Sequence, residues 1–179
     1  GSASYKWDGT QETFGRGDVI PMWVADMDFP CAPEILEAFE KRVRHGVMGY
    51  TLRTPGYIAA VRGGFRRRHG WEVPEEYLAF APPGVIFAVN VLIDLLTEPG
   101  DRVVIQTPNY DALVSSVTEG GRVIAENPLR VVNGRYTLDF DDLDRALSLP
   151  RTKLLLMSNP NNPTGRLWTK EEPRCDDFE

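Results

Sequence analysis

Leu154-Leu155-Leu156-Met157-Ser158-Asn159-Pro160-Asn161-Asn162-Pro163-Thr164-Gly165 joins an unbroken apolar run to a turn that holds two X-Pro bonds. Consecutive apolar side chains without alternation predict a strand covered on both faces, as in the centre of a parallel sheet. The turn that follows is more rigid than a surface loop needs. Its prolines suggest a backbone, open to the cis form, that fixes a side-chain amide in place.

Reading upstream, the pattern alternates. A helix is predicted over 141–147, a strand over 122–126, a helix over 111–118, a strand over 102–106, a helix over 84–96 and an extended segment over 78–81. Such alternation implies right-handed crossovers and a largely parallel sheet with helices on its faces, an α/β fold. Further upstream, 55–69 reads as a helix with Tyr57, Ile58, Val61 and Phe65 on its apolar face. The run Arg66-Arg67-Arg68 near its end reads as a solvated last turn that suits the helix dipole. Pro33 opens an earlier helix, with Ile35, Phe39 and Val43 at helical spacing, which Gly46 and Gly49 end. Residues 4–30 read as an extended arm with one short apolar stretch, 19–25. Gly1-Ser2-Ala3 is expected to be a tag remnant and is left out of the fold.

Composition narrows the function classes. The 179 residues are 42% hydrophobic, and 20 basic against 26 acidic side chains give a net charge of -6, which argues against nucleic acid as a partner. No apolar run reaches the roughly 20 residues that span a bilayer, so no membrane role and a cytoplasmic location are expected. The two cysteines, Cys31 and Cys175, are expected to be free thiols, and no Cys/His spacing suggests a metal.

In an open α/β sheet, ligands bind at the carboxyl ends of the strands, which directs attention to the loops after residues 81, 106 and 157. In Pro82-Pro83-Gly84-Val85-Ile86 the backbone N–H groups of Gly84, Val85 and Ile86 lead into a helix, as in an anion site or as in any ordinary helix start. In Thr107-Pro108-Asn109-Tyr110 the Tyr110 ring serves either to stack on a flat heteroaromatic ligand or to pack. Asp26 and Asp28 have the residue types of an acid/base pair, but two carboxylates beside a turn read as solvated. His45 and His69 sit near predicted helix ends, where capping or solvation is expected.

The turn Asn159 to Gly165 resembles the Asn-Pro-x-Asn-Pro-Thr-Gly signature of the class I/II aminotransferases, fold-type I pyridoxal 5'-phosphate (PLP) enzymes. The arm sequence Val19-Ile20-Pro21-Met22-Trp23-Val24-Ala25-Asp26-Met27-Asp28-Phe29 is similar to that of the cystathionine β-lyase type of carbon–sulfur lyase within that superfamily. Gly49-Tyr50-Thr51, Pro83-Gly84-Val85, Thr107-Pro108-Asn109-Tyr110 and Gly165-Arg166-Leu167-Trp168 fall in the same order and spacing, so the resemblance covers about residues 5 to 172. It implies a truncated three-layer α/β/α PLP-dependent transferase-like large domain over 50–179. An N-terminal arm and helix, 1–49, would belong to the family's small domain. It also implies site roles. Asn162 would bond the phenolic oxygen of PLP, Tyr110 would stack on its pyridine, and Gly84, Val85 and Ile86 would lie at its phosphate. Tyr50 would reach the phosphate of a neighbouring subunit's cofactor, which implies a homodimer, and Ala25 and Asp26 would line the substrate side.

PLP chemistry needs a lysine that holds the cofactor as a Schiff base and moves the substrate α-proton, and a carboxylate at the pyridine nitrogen. In the family both lie beyond this turn. None of Lys6, Lys41, Lys153 and Lys170 stands in a matching context. Thr169 to Glu172 look like the start of the family's next helix, which Pro173 to Glu179 do not continue, as after a frameshift or premature stop. The reading is thus an N-terminal part of a C–S β-lyase acting on cystathionine-like amino acids, inactive alone. The alternatives are part of an aminotransferase, or a non-catalytic remnant or interaction module. A dinucleotide-binding domain is disfavoured because no Gly-x-Gly-x-x-Gly opens a helix after a strand.

Overall fold

The computed structural model describes residues 2–169 and Glu172. Expectations placed on Lys170, Glu171 and 173–179, including Cys175, lie outside them. Two compact units divide the chain, 1–61 and 62–179.

In the first unit Ser4 accepts a hydrogen bond from the Trp7 N–H and starts α1 (Tyr5–Asp8), which Gly9 ends. The next helix, α2 (Thr10–Phe14), stops at Gly15, whose φ of 70° is left-handed. The start of the arm is therefore helical rather than extended. Over spans this short, the serine cap and the glycine decide the backbone, and no apolar periodicity can be read. The rest of the arm has no regular secondary structure. It lies back on the two helices through Trp23, whose ring stands edge-on to Tyr5 at 4.6 Å and to Phe14 at 5.4 Å. Then comes α3 (Pro33–His45), with proline in its first turn and Gly46 at φ 73° closing it. Its apolar residues Ile35, Phe39 and Val43 stand exposed. The boundary between the units falls within α4 (Pro55–His69).

The second unit builds its sheet on Val103, Val104 and Ile105, β-branched residues that suit a pleated surface. They are fully buried in β1 (Arg102–Thr107), which follows α5 (Val85–Leu96). Next come α6 (Asp111–Glu119), β2 (Val123–Pro128), β3 (Arg130–Val132), β4 (Arg135–Thr137), α7 (Phe140–Leu147) and β5 (Thr152–Leu156). Among the described residues the main sheet has the order β2-β1-β5, parallel throughout. Side chains alternate along β1, so Val103 and Ile105 meet Ile93 of α5 and Val117 of α6 on one face. Val104 meets Leu143 and Ala146 of α7 on the other. The chain crosses from β1 to β2 through α6, then returns past β1 to β5 through α7. Crossovers in opposite directions put their helices on opposite faces, which gives three layers.

Two sequence expectations differ from the structure. Among the described residues β1 holds the middle of the sheet and β5 flanks it with half-buried side chains, and residues 78–81, read as extended, form no strand. Leu154 and Leu156 pack toward α5 and α6, and Leu155 toward α7, so both faces are met as expected. An apolar run reports covered faces, not the number of flanking strands. The antiparallel hairpin β3–β4 was also not foreseen. Its turn is Asn133-Gly134, at φ 51° and 73°, the dipeptide that favours tight hairpins.

Arg122 ties α5 to the start of β2. Its guanidinium donates to the carbonyl and hydroxyl oxygens of Thr97, at 2.7 and 2.9 Å, to the Gly120 carbonyl at 2.7 Å and to Asp94 at 2.8 Å. The end of α5 is thereby held at the beginning of the strands. Among the described residues no helix is long and apolar enough to cross a membrane.

Candidate functional site

With its last turn at the start of the strands, α5 points its first turn at their carboxyl ends. There α6 also begins, directly after β1, and the Asn159–Gly165 turn leaves β5. Topology thus brings the segments of Gly84, Val85, Ile86, Tyr110 and Asn162 to one end of one sheet. At that end β1 and β5 are neighbours, and the strand order reverses between them, the place where open α/β sheets form a crevice.

Gly84 is extended and no side chain caps α5, so the first N–H groups of the helix have no intrahelical acceptor. Nothing lies within 4 Å of where a Cβ on Gly84 would stand, and the approach to these donors is open. A helix of 12 residues adds a dipole that favours an anion here. After β1, Asn109 donates to the Gln106 carbonyl at 3.0 Å and accepts from the Tyr110 N–H at 2.7 Å. This fixes the backbone of Tyr110 at the start of α6 while its ring stays 46% exposed.

Both X-Pro bonds of the turn after β5 are cis, as are Pro82–Pro83 and Thr107–Pro108. The amide that the turn immobilises is that of Asn161, buried to 2% exposure. Its Oδ1 accepts from the Thr164 hydroxyl at 2.6 Å, its N–H donates to the Arg166 carbonyl at 2.8 Å, and its carbonyl accepts from Gly165 at 2.7 Å. Asn159 accepts from the Trp168 N–H at 3.2 Å. The buried Arg166 donates to the Tyr136 carbonyl of β4 at 2.9 Å, reaches the Leu167 carbonyl and Glu172, and stacks 5.0 Å from the Trp168 ring. Asn162 is left exposed on this rigid backbone, with no hydrogen bond to the described residues.

Sequence reasoning missed a polar pair beneath the site. Gln106 donates to Asn127 at 3.4 Å, and Asn127 donates to the Asp139 carbonyl and the Asp142 carboxylate, both at 3.0 Å. Arg145, then Asn127, hold the Asp142 carboxyl below the usual carboxylate range. Gln106 Oε1 is buried without a hydrogen-bond partner among the described residues. The signal was a single polar residue breaking the apolar run of β1.

Tyr50, Ala25 and Asp26 belong to the first unit and are exposed. The Asp28 carboxylate is taken by Lys6 Nζ at 2.7 Å and Trp7 Nε1 at 2.8 Å, so it is engaged in structure rather than free as an acid or base. His45 Nδ1 lies 3.3 Å from Arg42 Nη1, and the His69 ring lies 6.0 Å from that of Phe65. Of the described lysines, Lys6 is paired with Asp28, Lys41 lies on α3, and Lys153 lies near the start of β5, away from the carboxyl end. Among the described residues no group of three or more His, Cys, Asp or Glu is placed to hold a metal ion.

The chain is 45% identical over 172 residues to cystathionine beta-lyase PatB of Bacillus subtilis (strain 168), covering 96% of this chain and 44% of that protein. The crystal structure of cystalysin from Treponema denticola, which contains a pyridoxal 5'-phosphate cofactor, superposes with a TM-score of 0.86 at 35% identity, over 95% of this chain and 43% of that one. The PLP-bound C-S lyase from Staphylococcus hominis superposes with a TM-score of 0.85 at 29% identity, again over 95% and 43%. The chain therefore spans less than half the length of these relatives, with the three-layer α/β/α fold they share. Residues 18–174 match the family model of aminotransferase class I and II, and the chain belongs to that family.

Proposed function

We propose that these residues form the N-terminal part of a PLP-dependent carbon–sulfur β-lyase acting on cystathionine-like amino acids, and that they carry the half of its site that binds the cofactor. The observation behind this is the convergence of the α5 N-terminus, Tyr110 and Asn162 at the sheet's carboxyl end, where the strand order reverses. The donor set fits PLP. Free N–H groups of Gly84, Val85 and Ile86 suit the phosphate, the Tyr110 ring suits the face of the pyridine, and the Asn162 amide suits the phenolic oxygen. PLP, when bound, supplies an electron sink for loss of the α-proton and the thiol.

The chain's own residues anchor and orient that ring, and the Ala25–Asp26 backbone lines the substrate side. Tyr50 reaches the phosphate site of a neighbouring copy, so the assembly is a homo-oligomer, and its location is cytoplasmic. The small domain contributes 1–49 and the large domain 50–179. The lyase reading rests on the arm sequence and the relative from Bacillus subtilis; an aminotransferase remains the alternative within the family. None of the lysines stands in the sequence context of the family's Schiff-base lysine, and Lys153 of the second unit lies near the start of β5, which favours a second reading of the isolated chain as a PLP binder without turnover.

Phosphorus NMR of PLP tests the binding reading. The phosphate resonance is expected to shift and broaden on adding the protein, and inorganic phosphate is expected to reverse the change. Asn162→Ala should weaken binding about tenfold, the worth of one good hydrogen bond. A resonance unmoved by equimolar protein at millimolar concentration would sink the reading.

A further inference from the structure

We propose that Lys6 is a positioning residue: it holds the Ala25–Asp26 backbone through the Asp26 carbonyl, a role that rests on the reading of that backbone as the substrate side. Lys6 sits in α1, a helix of 4 residues and too short to persist on its own. Yet its side chain is 8% exposed. An ammonium withdrawn from water needs close acceptors, and both of these come from far along the chain. Its Nζ donates to the Asp26 carbonyl at 3.2 Å and to Asp28 Oδ2 at 2.7 Å. The second Asp28 oxygen accepts from Trp7 Nε1 at 2.8 Å, and Trp23 Nε1 donates back to the Lys6 carbonyl at 3.3 Å.

These bonds bracket Val24, Ala25 and Asp26 from both sides. Trp23 is pinned before them, Asp26 and Asp28 after them. The bracketed backbone has no regular secondary structure and is largely exposed. Without the clamp nothing in its own hydrogen bonding would keep its N–H groups aimed one way, and orientation is what a substrate-lining backbone contributes.

The charged groups around the ammonium identify its counterion. Asp26 presents its carbonyl to Lys6. The Asp8 carboxylate, on the same helix, accepts from the Ser2 and Ser4 N–H groups. Asp28 is the partner, and Lys6, then Trp7, lower its pKa. A depressed carboxyl stabilises the fold above its unfolded value of about 3.9 and loses that contribution as pH falls through the folded value. The clamp should therefore hold at neutral pH and open in acid.

Nitrogen-15 relaxation of the 179-residue chain tests this, with Lys6→Met, Lys6→Arg and Asp28→Asn as variants. The backbone order parameters at residues 24–28 are expected to be about 0.85 in the wild type and to fall below about 0.6 in Lys6→Met and Asp28→Asn. They should return in Lys6→Arg, while β1 is unchanged in all three. In the wild type the order should be lost in acid. Unchanged order in Lys6→Met, or an equal loss in β1, would overturn the clamp. Adding PLP and L-cystathionine to the wild type is expected to shift the amide resonances of 24–26, and by less in Lys6→Met. No effect of cystathionine on a chain whose clamp is intact would overturn the positioning role and point to failure of the substrate-side reading instead.

Discussion

Ile105→Ala is expected to destabilise the second unit by about 3–4 kcal/mol, read as a fall of about 1–2 M in the urea midpoint. Ile105 has no solvent exposure and packs from the middle strand against Ile93 and Val117, so both helices of that face would border the cavity. Against a total stability of about 5–15 kcal/mol for a domain, such a loss leaves little margin. Leu95 is the control, at 74% exposure on α5. Leu95→Ala should change stability by no more than about 0.5 kcal/mol. Equal effects at the two positions would contradict the packing described for β1.

Arg122→Met should cost about 3 kcal/mol, for a different reason. Its side chain is 6% exposed, and the ion pair with Asp94 contributes little because Asp94 is 68% exposed and screened. The weight lies in the two oxygens of Thr97, a residue that is 5% exposed and would be left with a buried carbonyl at the end of α5. Asp94→Asn should therefore cost less than about 1 kcal/mol, and a thermal melt of both variants separates the contributions. A larger loss from Asp94→Asn than from Arg122→Met would place the stabilisation in the ion pair.

The parts of the fold that could be read from sequence were those that local chemistry marks. Pro33 and Gly46 bound α3 because proline tolerates the first turn and glycine the left-handed stop, and 55–69 is helical over the expected span. The alternation of strand and helix was enough to give a parallel sheet, since each crossover needs a helix. What failed was non-local or too short to show a period. The two turns of helix in the arm depend on a serine cap and a left-handed glycine. The three-residue strands of the hairpin are too short to alternate, though Asn133-Gly134 marks their turn. Which strand lies beside β5 is set by how the chain folds back, and the apolar run is silent on that.

The site divides the same way. The loops after β1 and β5 follow from the parallel sheet, whose carboxyl end is where ligands are offered, whereas the loop after residue 81 follows no strand and reaches that end through α5. The exposed Asn162 could be picked out from the motif, but the neighbouring Asn161, which locks the turn from inside, could not. Its partners are set by how the chain folds back at Thr164 to Arg166. The Lys6–Asp28 pair spans 22 residues of irregular chain, and no local pattern announces it.

The most direct test is to add PLP to the purified chain, record its visible spectrum before and after borohydride reduction, and map any modified lysine by peptide mass spectrometry, with thiol release from cystathionine followed in parallel. A site that holds the cofactor without the family's Schiff-base lysine predicts a reversible spectral change, no lysine modified in stoichiometric amount and no thiol released. One lysine reduced stoichiometrically together with thiol release would contradict it and show that these 179 residues carry a complete catalytic centre.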